Sequence, residues 1–146
     1  MQALTIHQPY AHYIVTPASG LKDGMVRKRC ENRTWYSGYR GPLLIHAGKS
    51  QERLTSMELH FYPEMVFGAI VGVATLVDVV DIRKKIEGKY RWLKRHYHAE
   101  GPFCWILENV HRCEPYHTNG RQGLWQFHEH SKLVFPTMEP KYGTPR

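Results

Sequence analysis

Four cations, Arg27, Lys28, Arg29 and Arg33, crowd around a single acid, Glu31, in one seven-residue stretch. Two aromatics, Trp35 and Tyr36, follow at once, and Tyr39-Arg40-Gly41 then leads into an apolar run, Leu43–Ile45, that ends on His46. A carboxylate among that many cations has a reason to stay ionised. An ionised carboxylate accepts from the amino edge of a base, guanidinium and ammonium groups take phosphates, and aromatic rings stack on bases. In an extended segment Arg29, Glu31 and Arg33 share one face, and Lys28 falls on the other unless the strand bends there. The plainer reading of the same residues is an ion-pair ladder on an edge strand, a common and weakly stabilising feature.

On the binding reading, Lys28, Arg29, Arg33 and Arg40 take phosphates, Tyr36, Trp35 or Tyr10 stacks a base, and Glu31 reads a donor edge. Trp35 and Tyr36 adjoin and face opposite ways, so one of them reaches a ligand; Trp105 and Trp125 are expected in the core. His46, at a strand end, is a further site candidate. With Lys28, His7 or His46 could move a proton near neutrality, as a ribonuclease requires. The ten histidines suggest no metal: His96-x-His98 and His128-x-His130 lack a cysteine or acid at a ligand spacing. Gly48-Lys49-Ser50 ends like a phosphate loop, but Leu43 stands where its first glycine belongs. No cofactor is expected.

These residues need elements to hold them. Ala3–Ile6 reads as a first strand, and Pro9 opens a helix whose stripe is Tyr10, Tyr13 and Ile14 and which stops at Thr16-Pro17. Residues 18–24 read as a flexible loop. Arg40–Ala47 is a buried strand, because Leu43, Leu44 and Ile45 are continuous. Ser50 is expected to cap a helix that runs to Phe61-Tyr62. Val66–Ile82 is a long β-branched strand whose glycines mark a bulge or a close backbone approach, with Asp78 or Asp81 near its far end facing the site. Arg83–His98 carries Ile86, Tyr90, Leu93 and Tyr97 at helical spacing, its charges reading as a solvated face. Phe103–Val110 is another strand, Pro115 lies in an edge or loop, and Leu124–Phe127 is the last strand. The pattern predicts an α+β domain built on a small, partly closed β-barrel flanked by two or three helices, spanning 1–130. The proline-bearing tail, 131–146, is expected to be extended or disordered.

The whole chain sets the context. Its 146 residues suit one core, and a net charge of +7 favours an anionic partner such as RNA or DNA. The opening MQALTIHQPY lacks the basic and apolar regions of a signal peptide, and no apolar run is long enough to span a membrane. Three cysteines with no C-x-x-C pair point to reduced thiols and a cytoplasmic protein. Nothing in the chain sets the oligomeric state; a monomer is the default expectation.

Taken in order, His7-Gln8-Pro9-Tyr10-Ala11, Lys28-x-x-Glu31-x-Arg33, Tyr39-Arg40-Gly41, Ile45-His46-Ala47, Gly68-x-x-x-Gly72, Pro102-Phe103-x-Trp105 and Leu124-Trp125 resemble the ASCH domain family of the PUA-like superfamily. The likeness runs over residues 3–127 and extends to the ASCH domain of activating signal cointegrator proteins and to small bacterial ASCH proteins. One departure is that the glycine usually found two residues before the lysine is here Val26, with Gly24 four before. The resemblance implies a PUA-like barrel with a cleft lined by the Lys28, Glu31 and Arg33 strand, binding nucleic acid or a nucleobase, modified bases included. Some small bacterial members are amidohydrolases acting on N-acetylated cytidine, and ribonuclease activity is attributed to others. Carried over here, the hydrolytic set would be Lys28, Glu31 and Asp78. Glu31 stands where those hydrolases have a threonine, which argues against the activity.

Overall fold

The computed structural model describes residues 1–136, in which six strands form one curled sheet of half-barrel shape. The strands are β1 (Gln2–Ile6), β2 (Cys30–Arg33), β3 (Gly41–Ala47), β4 (Ala69–Asp81), β5 (Phe103–His117) and β6 (Leu124–Gln126), in the order β2-β5-β4-β3-β1-β6. Only β1 and β3 run parallel; the other pairs are antiparallel. Register shifts fall at Ile45/His46 in the β3–β4 pair and at three places along β4–β5. Such shifts bend and twist long strands, which is how a 13- and a 15-residue strand curl without breaking.

The apolar run in β3 is continuous because both faces of the sheet are covered. Leu43 and Ile45 join Leu4, Ile6, Ile14, Leu76 and Trp105 in the larger core, while Leu44 joins Ala3, Ile70, Cys113 and Trp125 on the opposite face. Gly72 marks a close approach: a Cβ there would lie 2.7 Å from the His111 carbonyl oxygen and 2.9 Å from Val15. Pro115 sits inside β5, not in a loop. It is tolerated because β2 pairs only with Phe103–Ile106, so the outer edge of β5 is free of ladder bonds at Pro115.

Helix α1 (Tyr10–Val15) lies where the Pro9 and Thr16-Pro17 signals put it. The second helix, α2, does not start at Ser50: it spans Ser56–Phe61 and is opened by a capping box, with Thr55 Oγ1 accepting the Glu58 N–H and the Glu58 carboxylate accepting the Thr55 N–H. The basic stretch is also shorter than its stripe suggests. It forms a 3-10 helix, Gly88–Arg95, after a left-handed Gly88 (φ 66°), with Leu93 its one buried residue and Tyr97 exposed. Of the expected tail, Leu133 packs on the second core cluster and the Glu114 N–H donates to the Val134 carbonyl at 2.8 Å. Residues 137–146 lie outside the described residues. Among the described residues, no helix is long and apolar enough to cross a membrane.

Candidate functional site

A cleft of about 460 Å³ opens between α1, the strand β2, the start of α2 and the segment 97–100. At its floor the Glu31 carboxylate lies 3.6 Å from Lys28 Nζ and 3.0 Å from Arg33 Nη2. Lys28 is 2% exposed and Glu31 7%. The two oxygens of Glu31 are divided, Oε1 towards Lys28 and Oε2 towards Arg33. Arg33 Nη2 also donates to the Thr5 carbonyl at 2.8 Å, which ties the guanidinium to β1. Its buried Nε is the one buried side-chain nitrogen or oxygen without a partner among the described residues. Tyr10 stands beside this triad with Lys28 Nζ 5.4 Å from its ring centre.

The backbone explains how three side chains two and three apart converge. Regular strand begins only at Cys30, so Lys28 is not bound by the alternation that places Glu31 and Arg33 together. The Lys28 N–H donates instead to the Tyr13 carbonyl at the end of α1, at 2.9 Å. Arg29, expected on the face of Glu31, is turned out of the cleft: its guanidinium stacks on Trp92, 3.8 Å from the ring centre.

The walls come from residues that strand reasoning did not single out. Asn32 lines the cleft and shapes its wall. Its Nδ2 donates to the His98 carbonyl and its Oδ1 accepts the Glu100 and Gly101 N–H groups at 2.8–2.9 Å, which clips 98–101 against β2. His98 and Glu100 thereby join the cleft. Burial holds the His98 ring below its usual pKa, so neutral Nε2–H donates to the Val26 carbonyl at 2.9 Å. Opposite, the Tyr13 hydroxyl donates to Glu58 at 2.8 Å, and burial with that carboxylate pushes its pKa up. Arg53 and Glu58 enter from the α2 side. A Thr55-x-x-Glu58 capping pattern was present in the sequence and would have placed Glu58; the Asn32 clamp has no local signal.

Lining charges are balanced: Lys28, Arg33 and Arg53 meet Glu31, Glu58 and Glu100. Of the residues proposed from sequence, His7, Tyr10, Lys28, Glu31 and Arg33 line the cleft; Arg29, Tyr36, Arg40, His46 and Asp78 do not. Tyr36 is 58% exposed. Arg40 lies 3.3 Å from Asp78 and also bonds to Tyr36 and to backbone carbonyls of the same loop. His46 is buried, with Nε2 bonded to the Thr118 carbonyl at 2.7 Å and Nδ1 to Thr5, a structural clamp that ties β3 to β1 and to the loop after β5. Lys28, Glu31 and Asp78 are therefore not gathered in one cavity. Trp35 packs edge-on against the core Trp105 at 4.7 Å and accordingly does not line the cleft. Among the described residues no cluster of three or more potential metal ligands occurs.

The family model described as the ASCH domain matches residues 4–117. Among solved structures the chain is similar to a mutant ZmASCH protein from Zymomonas mobilis, at 13% identity over 88% of this chain and 90% of that one, with a TM-score of 0.49. No curated protein matches.

Proposed function

This chain belongs to the ASCH domain family, which is usually thought to bind RNA, and from that premise we propose that its cleft receives an unpaired base of a single-stranded RNA. The observation that carries the reading is the Glu31 carboxylate fixed between Lys28 and Arg33 at the floor of a nucleoside-sized cavity. A carboxylate flanked by two donor groups offers an acceptor beside donors, the complement of a base edge that alternates amino and carbonyl groups. The balance of three cations against three carboxylates suits a neutral polar heterocycle better than a phosphate, which would meet Glu31 or Glu100. Tyr10 supplies an aromatic wall. The cavity volume lies within the range of small-ligand sites. Three free, buried cysteines agree with residence in a reducing compartment such as the cytoplasm.

The test is titration of the four ribonucleosides and a 12-nucleotide RNA, with the matching DNA, followed by NMR and fluorescence anisotropy. Saturable nucleoside binding that perturbs Tyr10 and is lost in Glu31→Gln and in the milder Tyr10→Leu is expected. If no nucleoside and no RNA binds, or if both variants bind as the wild type does, the reading is wrong.

A further inference from the structure

A second concavity, about 490 Å³, lies on the other side of the Lys28–Arg29 peptide and is lined by Arg29, Arg91, Trp92, Lys94, Arg95 and His96. Every charged group in it is a cation. Among the described residues none of these four cations forms an ion pair, and none of their side chains donates a hydrogen bond. Like charges gathered without counter-charges repel, and a polyanion relieves that repulsion while releasing its own counterions.

The groove is built, not a loose cluster of long side chains. Leu93, 3% exposed, anchors the 3-10 helix in a pocket with Cys30, Cys104 and Ile106. His96 Nε2 accepts the Arg29 N–H at 3.0 Å, which fastens the end of the helix to the start of β2. The ring can do this because burial, His98 and the cations Arg29 and Lys28 hold its pKa down to about 4, leaving the nitrogen unprotonated. Arg29 rests over the Trp92 ring, so its guanidinium is held in place in advance while its donors stay unused. Beyond His96 the chain runs straight into the cleft wall through Tyr97 and His98. The two concavities are thus neighbours along both chain segments that form them.

We propose that Arg29, Arg91, Lys94 and Arg95 form a phosphate-binding shelf that holds the sugar–phosphate backbone of the single-stranded RNA whose base enters the cleft. The inference rests on the base-binding reading of the cleft for the continuity of its ligand. RNA is favoured over an acidic protein or an anionic membrane because the cations adjoin a polar cavity of base size. An extended strand presents both repeated phosphates and unpaired bases.

The experiment compares wild type, the triple variant Arg91→Gln/Lys94→Gln/Arg95→Gln, and the cleft variants Glu31→Gln and Arg53→Gln. Binding of a fluorescein-labelled 12-nucleotide RNA is measured across 50–300 mM salt, with matching DNA, polyglutamate and phosphatidylserine vesicles as other arms. The three substituted shelf residues are exposed, so an unchanged urea midpoint is expected. The triple variant should bind the RNA about 10–100-fold more weakly at 100 mM salt. Its log K against log salt slope should be shallower by about 2, at roughly 0.7 per single-strand phosphate contact. The cleft variants should keep the wild-type salt slope and lose base discrimination. Wild-type affinity and slope in the triple variant, with the cleft variants impaired, overturns the shelf and leaves the cleft reading standing. Loss in the triple variant with intact behaviour in both cleft variants supports the shelf and removes the cleft. Retention on polyglutamate or vesicles without RNA binding overturns the proposal.

Discussion

Lys28 and Arg29 are neighbours in sequence and opposites in circumstance. Lys28 is buried, faces Glu31 and Tyr10, and belongs to a cleft lined by as many carboxylates as cations. Arg29 is exposed, lies on Trp92, and belongs to a groove with no acid at all. The contrast teaches that a run of basic residues is not one feature. Burial forces charges to be paired, since an ion taken from water without a partner costs several kcal/mol. At the surface, water screens the repulsion and cations can wait for a ligand. Net charge therefore locates the shelf, whereas the cleft is found from the spacing of Lys28, Glu31 and Arg33.

The difference can be broken most forcefully through stability. Glu31→Ala leaves the buried Lys28 and the half-buried Arg33 without their acid, and it should destabilise the fold by about 3 kcal/mol. Arg95→Ala on the shelf should change stability by no more than about 0.5 kcal/mol. Urea unfolding of the two variants checks this, and equal midpoints would erase the distinction between the regions.

A second effect runs through four buried or half-buried histidines, of which His96 and His98 fasten the two regions. Burial lowers the pKa of His12, His46, His96 and His98 in the folded chain. Unfolding restores values near 6.5, so the unfolded chain binds more protons below that pH. Their contribution is fully present above about pH 6.5 and is lost as the pH falls towards the folded values. For His96, held to about 4, the loss between pH 7 and 5 should be roughly 1–2 kcal/mol, discounted for its partial exposure. Thermal melts should show the decline, and His96→Gln should flatten it. A melting temperature unchanged between pH 7 and 5 would mean that these rings are not held neutral by the fold.

The smallest effect sharpens the edge of the comparison. Arg40 is half-exposed and paired with Asp78 outside both concavities. Arg40→Ala should cost less than about 1 kcal/mol of stability and leave the RNA salt slope as it is. A shallower slope would extend the phosphate track to the Tyr36–Arg40 loop.

Much of the framework was legible in the residues. Proline at positions 9 and 17 bounded α1, the continuous Leu43-Leu44-Ile45 gave a strand covered on both faces, and Gly72 was marked as a close approach. The motif Lys28-x-x-Glu31-x-Arg33 gave the floor of the cleft, although its alternation pointed Arg29 inward and Lys28 outward. That inversion follows from where β2 begins, a matter of pairing with β5 and of the Lys28 N–H meeting α1. The walls were illegible for a related reason: Asn32 reaches His98, Glu100 and Gly101 only once β2 and β5 are side by side. The start of α2 at Thr55 was readable from its capping box, and Ser50 competed for it. The basic helix was expected to be longer because its apolar spacing continues through Tyr97, yet Leu93 alone is fully buried, Ile86 and Tyr90 only pack against its pocket, and Tyr97 is exposed.

If the cleft and the shelf bind as proposed, the single peptide unit between Lys28 and Arg29 separates recognition of a base from grip on a backbone. Mutational drift on the 88–95 surface can then retune how tightly the protein holds RNA, and at what ionic strength, while the chemistry that chooses the base stays fixed. An engineer could exchange that helix alone to convert a weak reader into a strong one without altering what it reads.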